Sequence, residues 1–241
     1  MALVVGVDSS TQSCKVEIRD AETARVVASG SAPHPRTTPP VSEQHPKQWW
    51  QAFVAAFEQA KAGVDPSQIG AIAVAAQCHG LVLLDGSGAV LRPAKLWNDL
   101  TSAPQAEAMV TAAGAPFWAD AVGSVPNAAF TISKLAWVAE HEPEILARAA
   151  SACLPHDWLT WKLSGRLVTD RSEASGTGYY SARESAYRRD ILGEFGRVSA
   201  ELALPEVLGP DTAVGLIDPA TARELGLGAG VLVGPGAGDQ H

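Results

Sequence analysis

The run Ile69-Gly70-Ala71-Ile72-Ala73-Val74-Ala75-Ala76 constrains the fold more than any other stretch of the chain. It carries no charge, its larger side chains are β-branched, and it ends at Gln77, so it reads as a buried strand. The rest of the sequence interleaves strands and helices around it. Residues 2–7, 13–19 and 25–31 read as a three-strand meander, its first turn rich in Ser, Thr and Gln. A proline-rich connector over 33–46 delivers Pro46 to the first turn of a helix. There Trp49, Trp50, Phe53, Phe57 and Ala60 repeat at helical spacing on one buried face. Asp85-Gly86-Ser87-Gly88 predicts a hairpin between strands at 81–84 and 90–91. Helices are expected over 103–113 and 131–141, a short strand over 150–154, and a helix over 157–163 stopped by Gly165. Short helices near 190–197 and 219–225 precede a strand over 230–233. That strand runs into Gly234-Pro235-Gly236-Ala237-Gly238-Asp239. The class is therefore α/β, with a mixed central sheet flanked by helices.

With 46% hydrophobic and 18% charged residues among 241, the chain can bury a core and is too apolar for disorder. The formal charge of −8 is spread without long runs, which excludes nucleic acid as a main partner, since phosphate neutralisation needs clustered Lys and Arg. No apolar run approaches a membrane span, and the opening residues lack the basic start of a signal peptide. Cys14, Cys78 and Cys153 are far apart and form no CxxC pattern. They argue against a disulfide framework or a zinc site and fit small core residues in a reducing cytoplasm.

Four constellations carry candidate chemistry. In Gly6-Val7-Asp8-Ser9-Ser10-Thr11-Gln12 an acid ends a strand and small hydroxyl residues follow at once. Backbone N–H groups and the Ser9, Ser10, Thr11 and Gln12 side chains suit nucleotide phosphates, and Asp8 suits Mg²⁺. The same residues would serve an ordinary Asp/Ser turn, and the Walker A spacing is absent. Gln77-Cys78-His79-Gly80 follows the buried strand, where ligands of α/β folds sit. Gln77 and His79 offer donors and acceptors to hydroxyls, or His79 is simply a satisfied turn residue. Trp97-Asn98-Asp99 pairs an aromatic face for C–H bonds with polar groups for hydroxyls, or consists of a core Trp and a helix N-cap. Finally, the glycines of 234–238 allow close approach of backbone to a ligand, with Asp239 placed to accept a proton. The G-x-G-x-x-G spacing of a dinucleotide fingerprint is missing.

In this order these pieces resemble the FGGY family of carbohydrate kinases, most nearly its xylulokinase branch. The likeness extends through Ser42-Glu43-Gln44-His45-Pro46, Lys134-Leu135-Ala136-Trp137, Glu142-Pro143-Glu144, Thr169-Asp170, Ala174-Ser175-Gly176-Thr177 and Gly236-Ala237-Gly238-Asp239-Gln240. The resemblance implies an actin-like, ribonuclease H-like ATPase domain, the sugar-binding one of two that close over a cleft, here over 1–241. It implies ATP and Mg²⁺ as cofactors and D-xylulose as the substrate. Asp239 would be the base, Asp8 would help hold the metal, and Gln77, His79, Trp97, Asn98, Asp99 and Gln240 would contact sugar. Three positions depart from the pattern: Leu100-Thr101-Ser102 where an Arg often follows, Gln240 where some xylulokinases have Asn, and Cys78 where Met is common. The ATP-binding second domain is expected to lie outside this chain, leaving it inactive alone, and a homodimer is possible for the full-length form. The alternatives are a kinase for ribulose, glycerol or gluconate, and a sugar sensor, which would need neither carboxylate. The expectation that decides among them is that folding brings Asp8 and Asp239 to one open groove.

Overall fold

The computed structural model describes residues 2–240. Seven strands form one mixed sheet: β1 Leu3–Ser9, β2 Ser13–Asp20, β3 Val26–Pro33, β4 Ile69–Ala76, β5 Gly215–Leu216, β6 Leu232–Val233 and β7 Ala237–Gly238. Their order is β5-β6-β4-β1-β2-β3, with β7 also on β4. The β1–β2–β3 meander is antiparallel, whereas β1, β6 and β7 all run parallel to β4. The expected strand over 230–233 is shorter than read. After β6 the Gly234 N–H still donates to Ile72 O at 2.8 Å, and strand pairing with β4 resumes at β7.

Nine helices complete the described fold: α1 Pro46–Lys61, α2 Ala103–Ala113, α3 Ala115–Val122, α4 Thr131–His141, α5 Pro143–Arg148, α6 Pro155–Ser164, α7 Arg171–Ser175, α8 Arg189–Gly196 and α9 Pro219–Leu225. Helix α1 starts where a capping box forms: the His45 side chain accepts the Lys47 N–H while the Gln48 side chain accepts the His45 N–H. Its Trp49, Phe53, Ala56, Phe57 and Ala60 are fully buried against β2 and β3. Burying side chains of this size contributes on the order of 2 kcal/mol each. The sheet residues pointing the other way, Gly6, Asp8, Ala73 and Ala75, keep some exposure.

Apolar packing divides into two clusters. One lies between the sheet and α1, α6 and α9, the other among α2, α3, α4 and α8. A two-strand ladder of Val82–Leu84 with Ser151–Cys153 sits between them. Period-two alternation explains how it serves both: Val82, Leu84 and Cys153 face the first cluster, Leu81, Leu83 and Ala152 the second. The predicted hairpin also forms, with Leu84 bridged to Val90 and the Asp85 carboxylate accepting the Ser87 and Ala89 N–H groups.

Candidate active site

The site follows from strand direction. Asp8 of β1 and Ala237 of β7 lie level with Ala75 on either side of β4. Past the strand ends, the Gln77 N–H donates to Ser9 O and the Asp239 N–H to Ala76 O, both at 3.0 Å. The first loop, the loop after β4 and the turn ending in Asp239 therefore emerge side by side at the carboxyl end of parallel strands, where α/β sheets place ligands.

A cavity of about 260 Å³ opens there, lined by Thr11, Cys78, His79, Trp97, Ala129, Asp239 and Gln240. Trp97 is 47% exposed, so it is neither a core residue nor beside an N-cap, since α2 is entered at Ser102. Its indole N–H donates to Thr11 Oγ1 at 2.8 Å. His79 has left-handed backbone, φ 63°, an uncommon conformation for a residue with a side chain. Its ring stacks on Phe130 with centroids 5.3 Å apart, and any side chain at 176 would collide with it. The wall formed by Ala128, Ala129 and Phe130 is gathered by fully buried Lys134, whose ammonium donates to all three carbonyls. Burial pulls the Lys134 amine down to about 7.

Two further cavities adjoin. One of about 640 Å³ is lined by Thr11, Gln12, His34, Arg36, Thr37, Thr38 and Asn98. Thr11 borders both it and the smaller cavity, and Trp97 and Asn98 fall on opposite sides of the partition. Burial holds His34 down to about 4, so its imidazole is neutral there. Another, of about 510 Å³, lies on the open sheet face over Gly6, Asp8, Lys15, Ala75, Gly236 and Ala237.

Asp8 lines the cavity on the sheet face and Asp239 the smaller one past the strand ends. They are close enough to interact. Partial burial, and after it the charge of Asp8, raise the Asp239 carboxyl above the ordinary carboxylate range against the Cys78 hydrogen bond, which lowers it. Among the described residues neither carboxylate pairs with a lysine or arginine, and Asp8 Oδ1 is buried without a partner. One carboxylate with a free oxygen fits a hard divalent cation only if nucleotide phosphates and water complete the shell. Among the described residues no group of three acidic, His or Cys side chains is arranged to hold a metal ion by itself.

Several expected ligand groups are turned to structural work. The Ser9 hydroxyl lies 3.2 Å from His34 Nε2, and the Ser10 hydroxyl donates to Ser13 O. Gln77 is 1% exposed, and its amide donates to Gln44 Oε1 at 3.4 Å instead of lining the cavity. Asp99 is fully buried. Its carboxylate accepts the Ser42 N–H at 2.8 Å, the Thr101 N–H and hydroxyl, and Lys95 Nζ at 3.3 Å. Burial alone would raise it, but these donors hold it below the ordinary range. Lys95 also meets Glu43 at 3.1 Å and lies 3.7 Å over the Trp137 ring. Arg92 joins Glu43 to Glu142. The sequence reading missed Gln44, whose amide donates to Thr11 O and Pro35 O while its carbonyl takes the Trp49 N–H. Its place in the Ser42-Glu43-Gln44-His45-Pro46 segment was the signal for it in the sequence.

Parallel strands end in a polar cavity with Asp8 on β1 and Asp239 just past β7, in an α/β fold shared with solved sugar kinases of the actin-like ATPase class. The chain belongs to the FGGY family of carbohydrate kinases, whose N-terminal domain matches residues 3–241. It is 46% identical over 238 residues to a xylulose kinase of Streptomyces rubiginosus, covering 98% of this chain and 48% of that one. A xylulose kinase of Streptomyces coelicolor is 45% identical over 98% of this chain. The crystal structure of xylulose kinase from Bifidobacterium adolescentis superposes with a TM-score of 0.89 at 43% identity, over 99% of this chain and 54% of that chain. The chain spans about half the length of the curated relatives it matches. No described helix is long and apolar enough to cross a membrane.

Proposed function

We propose that the chain is the sugar-binding half of an ATP-dependent cytoplasmic kinase that phosphorylates D-xylulose at its terminal hydroxyl, the ATP-binding half lying in a second domain. The observation that carries this reading is the meeting of Asp239 with Trp97, His79, Thr11 and Gln240 in one small cavity, with Asp8 on the next strand but one. Trp97 offers its indole face to C–H bonds, and His79, Thr11 and Gln240 read hydroxyls. Asp239, raised in affinity for protons, accepts the proton of the attacking hydroxyl, a role typically contributing about 10²–10⁴-fold. Asp8 with its unpartnered oxygen, and the backbone of the 9–12 loop, would face Mg²⁺ and the phosphates. When bound, the metal supplies charge neutralisation for phosphoryl transfer. The xylulose kinases among the relatives support the choice of sugar.

The test is Asp239→Asn in the two-domain protein. Turnover should fall by at least about 10²-fold while xylulose affinity, read by calorimetry, stays within about tenfold. A variant that keeps the wild-type rate removes Asp239 from the reaction.

A further inference from the structure

Beneath the turn that carries Asp239 lies a buried acid that the proposed reaction does not use. Glu173, on α7, is 1% exposed, and neither carboxyl oxygen has a hydrogen-bond partner. Buried polar groups are rarely left so, and each such case calls for a cause.

The groups around Glu173 explain its state. On its own helix, Asp170 caps the first turn, accepting the Ser172 and Glu173 N–H groups. On α6, His156 Nδ1 lies 3.0 Å from Asp157 Oδ1 and Nε2 lies 2.8 Å from Pro235 O. Both partners are acceptors, so the ring carries two protons and its charge is matched to Asp157. The other Asp157 oxygen takes the Leu154 N–H at 2.8 Å. Asp157 and Asp170 thus already share this space with a single imidazole cation, and a further negative charge is unfavourable. Burial, with His156 opposing and Asp157 adding, pushes Glu173 up to about 8.

The rest of the carboxyl group meets the site itself. A side chain at 238 would collide with both Glu173 Oε1 and Cys78 Sγ, so the backbone next to Asp239 rests on these two groups. Cys78 in turn donates its thiol hydrogen to Asp239 Oδ1 at 3.6 Å. The same turn is held further back by His156 through Pro235 O.

We propose that Glu173 is a positioning residue for Asp239: as an uncharged carboxyl group it fills the space beneath the turn and, through Cys78 and Gly238, holds the Asp239 carboxylate at the cavity wall. The catalytic consequence rests on the reading of Asp239 as the proton acceptor. The positional one does not. Ionising Glu173 puts a charge against the thiol and the turn, so the arrangement loosens as pH rises past about 8.

The experiment is a carbon-13 titration of the Asp239 carboxyl in the 241-residue chain. Wild type and Glu173→Gln, which keeps shape and neutrality, should titrate alike. Glu173→Ala leaves a void beneath the turn and frees the Cys78 thiol from Asp239; because that hydrogen bond lowers the Asp239 carboxyl, its loss should raise the midpoint by about half a pH unit or more. An unchanged midpoint in E173A overturns the proposal. Should E173A not fold, Cys78→Ala removes the link from the other side and must show the same direction of change, or the proposal fails. In the two-domain protein E173A should lower kcat about tenfold with KM for sugar within about threefold. E173Q should keep kcat and lose the fall above pH 8, and an E173Q profile that retains that fall also overturns the proposal. If no form of the two-domain protein phosphorylates a sugar, the functional reading fails, while the titration still decides the role of Glu173.

Discussion

Two loops reach the same small cavity and are fastened in opposite ways. The loop carrying Trp97 is anchored by charge: Asp99 and Glu43 hold Lys95, Arg92 ties Glu43 to Glu142, and Trp137 covers Lys95. Every carboxylate there has donors, and Asp99 sits below the ordinary range. The turn carrying Asp239 rests on a carboxyl group with no donor beside it but a thiol, and that acid has risen to about 8. The contrast teaches that burial alone does not set the charge of an acid. What decides is whether donors follow it inside. A saturated network holds its loop alike across neutral pH, whereas the neutral acid makes the other loop sensitive to alkali.

The largest effect should come from breaking the saturated side. Asp99→Ala leaves the buried Lys95 ammonium with Glu43 and the Thr101 hydroxyl and strips the Ser42 and Thr101 N–H groups of their acceptor, and removing one partner of a buried pair costs about 3–5 kcal/mol. Urea unfolding measures it, and a loss below about 1 kcal/mol would erase the contrast between the loops. The next effect grows with pH. The Glu173 carboxyl is raised in the folded chain, so its neutral form favours folding fully below the unfolded value near 4.5, and that advantage is lost as pH rises through about 8. Glu173→Gln does not titrate. Its Tm relative to wild type should therefore climb across that window, and a flat difference would mean Glu173 is not buried neutral. The smallest effect is at the partition. Thr11→Val removes the acceptor of the Trp97 N–H, at about 1 kcal/mol. Sugar-induced quenching of Trp97 fluorescence should weaken without the loss of stability seen for Asp99→Ala.

The layout of the fold was readable where pattern and punctuation agree. Ile69–Ala76, Ala103–Ala113, Thr131–His141 and Pro219–Leu225 form as expected, because apolar spacing and a bounding Gly, Pro or polar residue mark the same limits. Ala115–Val122 was missed: it starts directly after Gly114 with Pro116 inside its first turn, which reads as a break unless the proline is placed at a helix start. Five-residue Arg171–Ser175 has too little periodicity to see. Within the site, the sequence suggested Asp239, Gln240, His79, Trp97 and Thr11 as ligand groups, and folding gathers them. It could not separate Asn98 from Asp99, adjacent polar residues of which one opens to a cavity and the other is sealed. Nor could it show that Lys134 and Glu173 are buried, since charged residues read as surface until packing says otherwise.

The hydrogen bond from Trp97 to Thr11 works as a ruler. It closes off a space of about 260 Å³, under the roughly 300–1,000 Å³ of pockets that take drug-sized ligands, from a neighbour more than twice as large. On the proposed function, the size of polyol admitted would depend on one contact between two side chains to which no part in proton transfer is assigned. Substrate length could then change by drift at Thr11 or Trp97 while the role proposed for Asp239 stays as it is.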